Sequence, residues 1–271
     1  MRTFFNESRP CRAKSRPMRR TAAAYCWIVL LLAALPACRN DRETAPTHCV
    51  LTEVRGFAGE VLERFAYNRD GQLVKYTLDG LAYQLQYNDA GQLTGVVESG
   101  INPDQSAFER EITLQYSQDG KTTVVKKPVE FTSRPYVYTI ELGEKGQLLR
   151  YTGDEDGHRI AWRYEYDEAG NVTRSFYAQD QAEHLVYEQD RFDAKSSPYY
   201  TSASLRMFMQ LVFGKAISPH NPVVTRHYDR ESVLDWTRTD VNAYNDGGYL
   251  VSQKGDFAGF TYALSYGYSC P

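Results

Sequence analysis

The feature that most constrains this chain is a short pattern that it repeats. Tyr67-Asn68-Arg69-Asp70-Gly71-Gln72-Leu73 returns as Tyr87-Asn88-Asp89-Ala90-Gly91-Gln92-Leu93 and as Tyr166-Asp167-Glu168-Ala169-Gly170-Asn171-Val172. A looser copy is Tyr244-Asn245-Asp246-Gly247-Gly248-Tyr249-Leu250, and degenerate ones are Tyr116-Ser117-Gln118-Asp119-Gly120 and Leu142-Gly143-Glu144-Lys145-Gly146-Gln147-Leu148. An Asn or Asp side chain at the second position can bond backbone N–H groups just ahead of it. The glycine that follows supplies the left-handed residue of a three-residue hairpin loop, a type I turn closed by a bulge. Turn residues are therefore expected at Asn68 and Gly71, Asn88 and Gly91, Gly120, Gly146, Asp167 and Gly170, and Asn245 and Gly247. The first five glycines lie 20, 29, 26 and 24 residues apart, which fits one hairpin plus its return connection.

The flanks read as strands with one buried and one wet side. Tyr83, Leu85, Tyr87, Leu93 and Val97 fall on one face, opposite Gln84, Gln86, Gln92 and Thr94. Tyr136, Tyr138, Ile140 and Leu142 alternate in the same way, as do Ile160, Trp162, Tyr164 and Tyr166, and Phe260, Tyr262, Leu264, Tyr266 and Tyr268. Residues 192–228 break the pattern. Within them 204–214 read as a helix, with Leu205, Phe208, Met209 and Val212 on one stripe, Ser202 or Ser204 as its cap and Gly214 as its end. So apolar a helix is expected to pack on the Tyr-rich face as a lid or plug, and packing is the expected reason for most of the chain's 21 tyrosines. The expected fold is all-β: an antiparallel meander of repeated hairpins forming a curved sheet or partly closed barrel, with one late helical insert covering the apolar face.

The amino terminus reads as an address. Residues 1–37 carry seven Lys or Arg and one acid, Glu7, and the apolar run 22–34 is too short to span a bilayer. Leu35-Pro36-Ala37-Cys38 has the order of a lipobox, with a small residue before the cysteine. Residues 1–37 are expected to be a lipoprotein signal peptide, with Met18 as an alternative start and Cys38 as the lipidated residue. Polar residues 38–47 would form the anchor and tether, and 48–271 a single β-repeat domain. The expected location is the cell envelope, lipid-anchored at the outer membrane, on a face the sequence leaves open.

Without residues 1–37 the net charge moves from −3 to −9. An acidic domain is a poor partner for nucleic acid. Two cysteines then stay uncommitted, Cys49 and Cys270. Export favours a bridge between them, worth about 5 kcal/mol by chain entropy, and two separate thiols are the alternative.

Catalytic signatures are absent. No nucleophile elbow, His-Glu-x-x-His, phosphate loop or dinucleotide fingerprint occurs. His220 and His227 flank a turn at Asn221-Pro222, and Asp154-Glu155-Asp156-Gly157 looks like half a calcium loop without its downstream ligand. No catalytic residue, metal or cofactor is assigned.

The hairpins resemble the YD repeats of Rhs-type and teneurin-type shell proteins, most closely at Tyr166 to Val172. The mature chain as a whole is similar to uncharacterised Gram-negative lipoproteins described as domains of unknown function with a porin-like fold. The lipobox, Cys49, the serial hairpins, the late helical insert and Tyr268-Ser269-Cys270 carry that resemblance. It implies a curved or closed meander sheet and no activity. The expected function is a non-enzymatic, membrane-anchored binding or structural module with an envelope polysaccharide or protein as partner. The alternatives are a membrane-embedded porin-like barrel, against which Arg150 and Arg174 stand on the register of the apolar face, and a glycan-acting enzyme with carboxylates that no motif reveals.

Overall fold

The structure is a computed structural model. It describes residues 48–270, apart from 103, 118–120, 127–134, 156 and 181. The signal segment with Met18, Cys38 and the tether, and also Gly120, lie outside the described residues. Sixteen strands follow one another: β1 (Val50–Arg55), β2 (Val61–Tyr67), β3 (Leu73–Leu78), β4 (Leu81–Tyr87), β5 (Leu93–Ile101), β6 (Ala107–Tyr116), β7 (Lys121–Lys126) and β8 (Tyr136–Leu142) come first. They continue as β9 (Leu148–Glu155), β10 (His158–Tyr166), β11 (Val172–Gln179), β12 (Ala182–Ser196), β13 (His220–Tyr228), β14 (Leu234–Tyr244), β15 (Leu250–Phe257) and β16 (Phe260–Ser269). Each pairs antiparallel with the next, and β16 pairs with β1 through five residue pairs from Val50↔Ser269 to Arg55↔Ser265. The barrel is thus fully closed, where the sequence left a curved or partly closed sheet open. Closure follows from accumulating the same twisted hairpin, and it removes both sheet edges.

Each repeat contributes two strands, so every repeat turn falls on the same rim. There the first turn residue's N–H donates to the fifth residue's carbonyl, as from Asn68 to Gln72 (2.9 Å), Asn88 to Gln92 (3.0 Å) and Asp167 to Asn171 (3.0 Å). The Asn68 and Asn88 side-chain oxygens (Oδ1) each accept two backbone N–H groups ahead of them, and the Asp167 carboxylate accepts the N–H of Asn171. Gly71, Gly91, Gly146 and Gly170 hold φ of 77, 75, 73 and 85°. In the last copy the left-handed residue is Gly248 (φ 80°), not Gly247. The loop from Asn245 to Tyr249 has the same length as the others, and its bulge position is the residue just before Tyr249.

The tyrosine of the motif has a second job. Tyr87 donates its hydroxyl to the carbonyl of Leu73 (2.7 Å), and Tyr116 to that of Leu93 (2.8 Å). Tyr166 does the same to Leu148, and Tyr268, outside the motif, takes that place for Leu250 (2.9 Å), while the motif's Tyr244 turns to Asp193. Each phenol therefore ties one hairpin to the residue that leaves the preceding turn. Tyr67 opens the series and has no earlier repeat turn, and its buried hydroxyl finds no partner among the described residues.

The bulges reset the alternation across each turn. Gln86 faces Gly95 while Tyr87 faces Leu93, so Val96 and Glu98, not Val97, share the face of Tyr83 and Leu85. One buried cluster joins Leu51 of β1, Phe65 of β2, Leu114 of β6, Ile160 of β10 and Leu250 of β15 to Phe208 and Leu211. A cluster drawn from all round a closed sheet lies in its lumen. The helix, α1 (Ala203–Phe213), therefore sits inside the barrel as a plug. The Phe208 ring meets those of Tyr76 (5.3 Å), Tyr83 (5.9 Å) and Phe213 (5.3 Å).

Ser202 caps α1, and Gly214 ends it at φ 61°. A side chain at Gly214 would strike the Tyr151 ring at 2.7 Å. The Ser204 hydroxyl instead accepts the N–H of Leu73 (2.9 Å), docking the plug on the first repeat turn. The strands β12 and β13 extend inward to Ser196 and from His220, so the helical insert narrows from 192–228 to 197–219. Three register shifts between these strands hide their alternation from the sequence.

The outer wall is polar. Arg150 faces Glu141 and Arg163 across the outer surface, and Arg174 faces Glu188, so both arginines point away from the apolar face on which the alternation placed them. Arg163 bonds Glu183 (2.8 Å) and Glu165 (2.7 Å), Arg174 bonds Glu188 (3.2 Å), and Arg226 bonds Asp190 (2.7 Å). Gln84, Lys75 and Thr239 are exposed near the middles of their strands.

Candidate functional site

The lumen divides into two halves of different chemistry. From β2 to β10 the inward residues are mostly apolar and close on the plug, with Phe65, Tyr76, Tyr83, Leu85, Val96, Ile112, Val124 and Ile140 all buried. From β11 to β16 polar residues join the apolar ones: Ser175, Gln189, Thr225, Arg238, Asp240 and Gln253 stand among Val172, Tyr187, Leu250 and Tyr266. The plug does not fill this half, and a cavity of about 730 Å³ remains. That volume lies in the range, roughly 300–1,000 Å³, of pockets that hold small ligands. Apolar walls come from Trp162, Tyr164, Tyr187, Phe213 and Tyr266, and polar ones from Glu63, Ser175, Gln189, Arg238 and Gln253.

Register assembles the polar wall. Thr225 stands directly between Gln189 and Arg238 on adjacent strands, so the three side chains share a face. Arg238 holds Asp240 at 3.0 Å. Asp240 also accepts from Tyr262 and from the Gln253 amide (3.3 Å), and Gln253 accepts from Tyr266 (3.0 Å). Burial raises the Asp240 carboxyl above its ordinary value, against the Tyr262 bond and the Arg238 charge. Glu63 accepts two phenols, Tyr199 (2.7 Å) and Tyr76 (3.2 Å). Burial first, and then the Glu63 charge, pushes the Tyr199 phenol well above the usual range. Two atoms of this wall stay buried without a partner among the described residues: Thr225 Oγ1 and Arg238 Nε.

A second hollow of about 210 Å³ reaches the rim opposite the repeat turns, where Tyr228, Asp229 and Arg230 start the β13–β14 connection. Trp162 lines both spaces. Aromatic rings band this mouth. Trp162 lies 5.1 Å from Tyr177, His227 stacks on Trp236 at 5.0 Å, and Trp236 meets Phe257 at 5.2 Å.

The residues singled out in the sequence lie elsewhere. The described turn residues stand on the plugged rim. Cys49 and Cys270 form a disulfide on that rim too, across the seam between β1 and β16. His220 and His227 are held at opposite ends of β13, bonded to Asn171 and Asp235 respectively. Asp154 accepts the N–H of Gly157 in the β9–β10 turn. The chamber residues carry no local signal: in sequence Gln189, Arg238 and Gln253 are ordinary strand residues that only closure brings together.

No protein-family profile matches this chain, and no curated protein matches it. Among solved structures it is similar to a porin-like protein from Bacteroides uniformis, at 14% identity over 83% of this chain and 100% of that one, with a TM-score of 0.42. A porin-like protein from Bacteroides vulgatus aligns at 10% identity over 81% and 99% of the two chains, also at 0.42. The Photorhabdus luminescens Tc holotoxin pore aligns at 13% identity over 76% of this chain and 14% of that one, at 0.30. These likenesses are weak, and the functional reading rests on the chain's own geometry.

Proposed function

We propose that this protein is an envelope-tethered binding module whose barrel stands in water, and not a membrane pore. The observation that carries this is the polarity of the wall. A transmembrane barrel is apolar outside and polar inside, and a charge facing lipid near the midplane costs about 2–4 kcal/mol. Here the order is reversed, with Arg150, Arg163, Arg174 and Arg226 outside and the aromatic cluster within. The plug around Phe208 also fills much of the lumen with buried apolar side chains. Residues 1–37 and Cys38 supply the tether in this reading, with a lipid on the cysteine.

Binding, not catalysis, is the role we propose. Both oxygens of Glu63 and both of Asp240 already accept hydrogen bonds from neighbouring side chains, which favours holding a ligand over exchanging protons with one. The test is size-exclusion chromatography with light scattering on residues 39–271 in detergent-free buffer. A monodisperse folded species is expected. Protein that stays folded only in detergent would restore the pore.

A further inference from the structure

The chamber wall holds one cation without a counter-ion. Three ionic side chains line the space: Glu63, Arg238 and Lys215. Arg238 holds Asp240 at 3.0 Å, and Glu63 accepts a phenol on each oxygen. Lys215 is exposed, lines the chamber and makes no ion pair among the described residues. Its backbone is fixed at the end of the plug. There its N–H donates to the Met209 carbonyl (3.1 Å), and the Tyr164 hydroxyl donates to the carbonyl of Gly214 (2.6 Å). The ammonium stands 5.3 Å from the centre of the Tyr199 ring. Most other polar groups of the wall are already used. The Tyr266 hydroxyl donates to Gln253, the Ser218 hydroxyl accepts the Val172 N–H, and the His220 ring bonds Asn171. Between them stand rings, with Trp162 and Tyr164 parallel to within 10°. A polyhydroxyl molecule would leave most of its hydroxyls unpaired in such a space, which is costly. A flat apolar body gains by leaving water there, and one negative group on it would meet Lys215.

We propose that the chamber binds an amphipathic monoanion, a carboxylate on a flat ring-containing body, with Lys215 pairing the carboxylate and the wall at Trp162 and Tyr164 taking the rings. This deepens the binding-module reading and rests on it. The charges around the site select one negative group. Asp240 already offsets Arg238, so Lys215 is the lining cation left to pair with a ligand. An ammonium ligand would have to share Glu63 with Tyr199 and Tyr76. A second negative group would meet Glu63 without a cation of its own.

The test uses the full-length protein and three probes that share one ring system, anionic naphthoate, neutral naphthamide and cationic naphthylmethylammonium, with maltotriose as a polyhydroxyl control. Binding is read by saturation-transfer NMR and by titration calorimetry. Naphthoate is expected to bind, the amide and the ammonium at least tenfold more weakly, and maltotriose to show no transfer. Lys215→Met should weaken naphthoate at least tenfold and leave the amide unchanged. Because Lys215 is exposed and unpaired among the described residues, that variant should keep the wild-type melting temperature. Glu63→Gln removes a like charge and should bind naphthoate as tightly as the wild type or more so. No binding of naphthoate at millimolar concentration would overturn the proposal. So would equal affinity for the amide, or unchanged affinity in Lys215→Met. Preference for the ammonium, lost in Glu63→Gln, would assign the chamber to a cation instead. A protein that is monodisperse without detergent yet binds none of the probes refutes the ligand class and leaves the water-facing module standing. One that folds only in detergent refutes the module itself.

Discussion

Replacing Cys49 and Cys270 together by serine tests how the barrel is held shut. The bond joins residues 221 apart. For a loop of that length the chain-entropy relation gives about 5 kcal/mol, nearly all of it by restricting the unfolded chain. The folded seam has other ties. Five registered pairs join β1 to β16, Cys49 N–H donates to the Tyr249 hydroxyl (3.1 Å), and the Tyr249 and Tyr268 rings lie 5.2 Å apart. The double variant should therefore remain a closed barrel with unchanged circular dichroism and elution volume. With a urea slope of about 2–3 kcal/mol/M, its midpoint should fall by about 2 M. The loss should appear mainly as slower refolding, because the bond acts on the denatured ensemble. A midpoint drop under about 0.5 M would refute this reasoning. So would a variant that unfolds faster by the whole amount, since the bond would then be clamping the native seam.

Phe208→Ala should cost about 3–5 kcal/mol in urea unfolding, as expected for a fully buried phenylalanine, because α1 is part of the core. A loss under 1 kcal/mol would mean the helix detaches as a lid. Gly248→Ala should lower stability by about 1–2 kcal/mol, since alanine at φ 80° is strained, and by more than Gly247→Ala, whose added Cβ would press on the Tyr249 ring at 3.2 Å in an exposed turn without that dihedral strain. Asp193 links β12 to Asn221, Asn242 and Tyr244. Burial opposes its ionisation, but the Tyr244 phenol and the two amides outweigh it and hold its carboxyl below the ordinary 3.8. A depressed carboxyl adds stability above its unfolded value and loses it as pH falls through the folded one. The wild-type melting temperature should thus fall more steeply below about pH 4 than that of Asp193→Asn.

The hairpins were legible in the sequence because their chemistry is local. Asn68 and Gly71 sit within one turn, and the glycine is demanded by a single dihedral angle. The helix was legible for the same reason, and its expected span of 204–214 differs from Ala203–Phe213 by one residue at each end. What failed were inferences that cross a bulge. The face of Val97 came out inverted because the bulge after the turn at Asn88 shifts the count by one. Arg150 and Arg174, each just past a bulged turn, were misplaced in the same way. Asp79-Gly80, a two-residue turn with φ of 45 and 79° on the opposite rim, carries no copy of the repeat and so lies outside its pattern. The tyrosine ladder was hidden too, since Tyr87 and Leu73 meet only through β3 and β4. The chamber needs β2, β10 and β12–β16 at once, which no window of sequence contains.

The central claim is that the outer wall meets water. Single cysteines at Gln84 and Thr239, outward and exposed near the middles of β4 and β14, would test it most directly in native membranes. Each would be treated with a membrane-impermeant maleimide and, separately, with a fluorophore challenged by lipid-borne quenchers. A water-facing barrel predicts rapid maleimide labelling at both sites and no quenching from lipid. Protection from maleimide together with strong lipid quenching would contradict it and would put this wall in the bilayer.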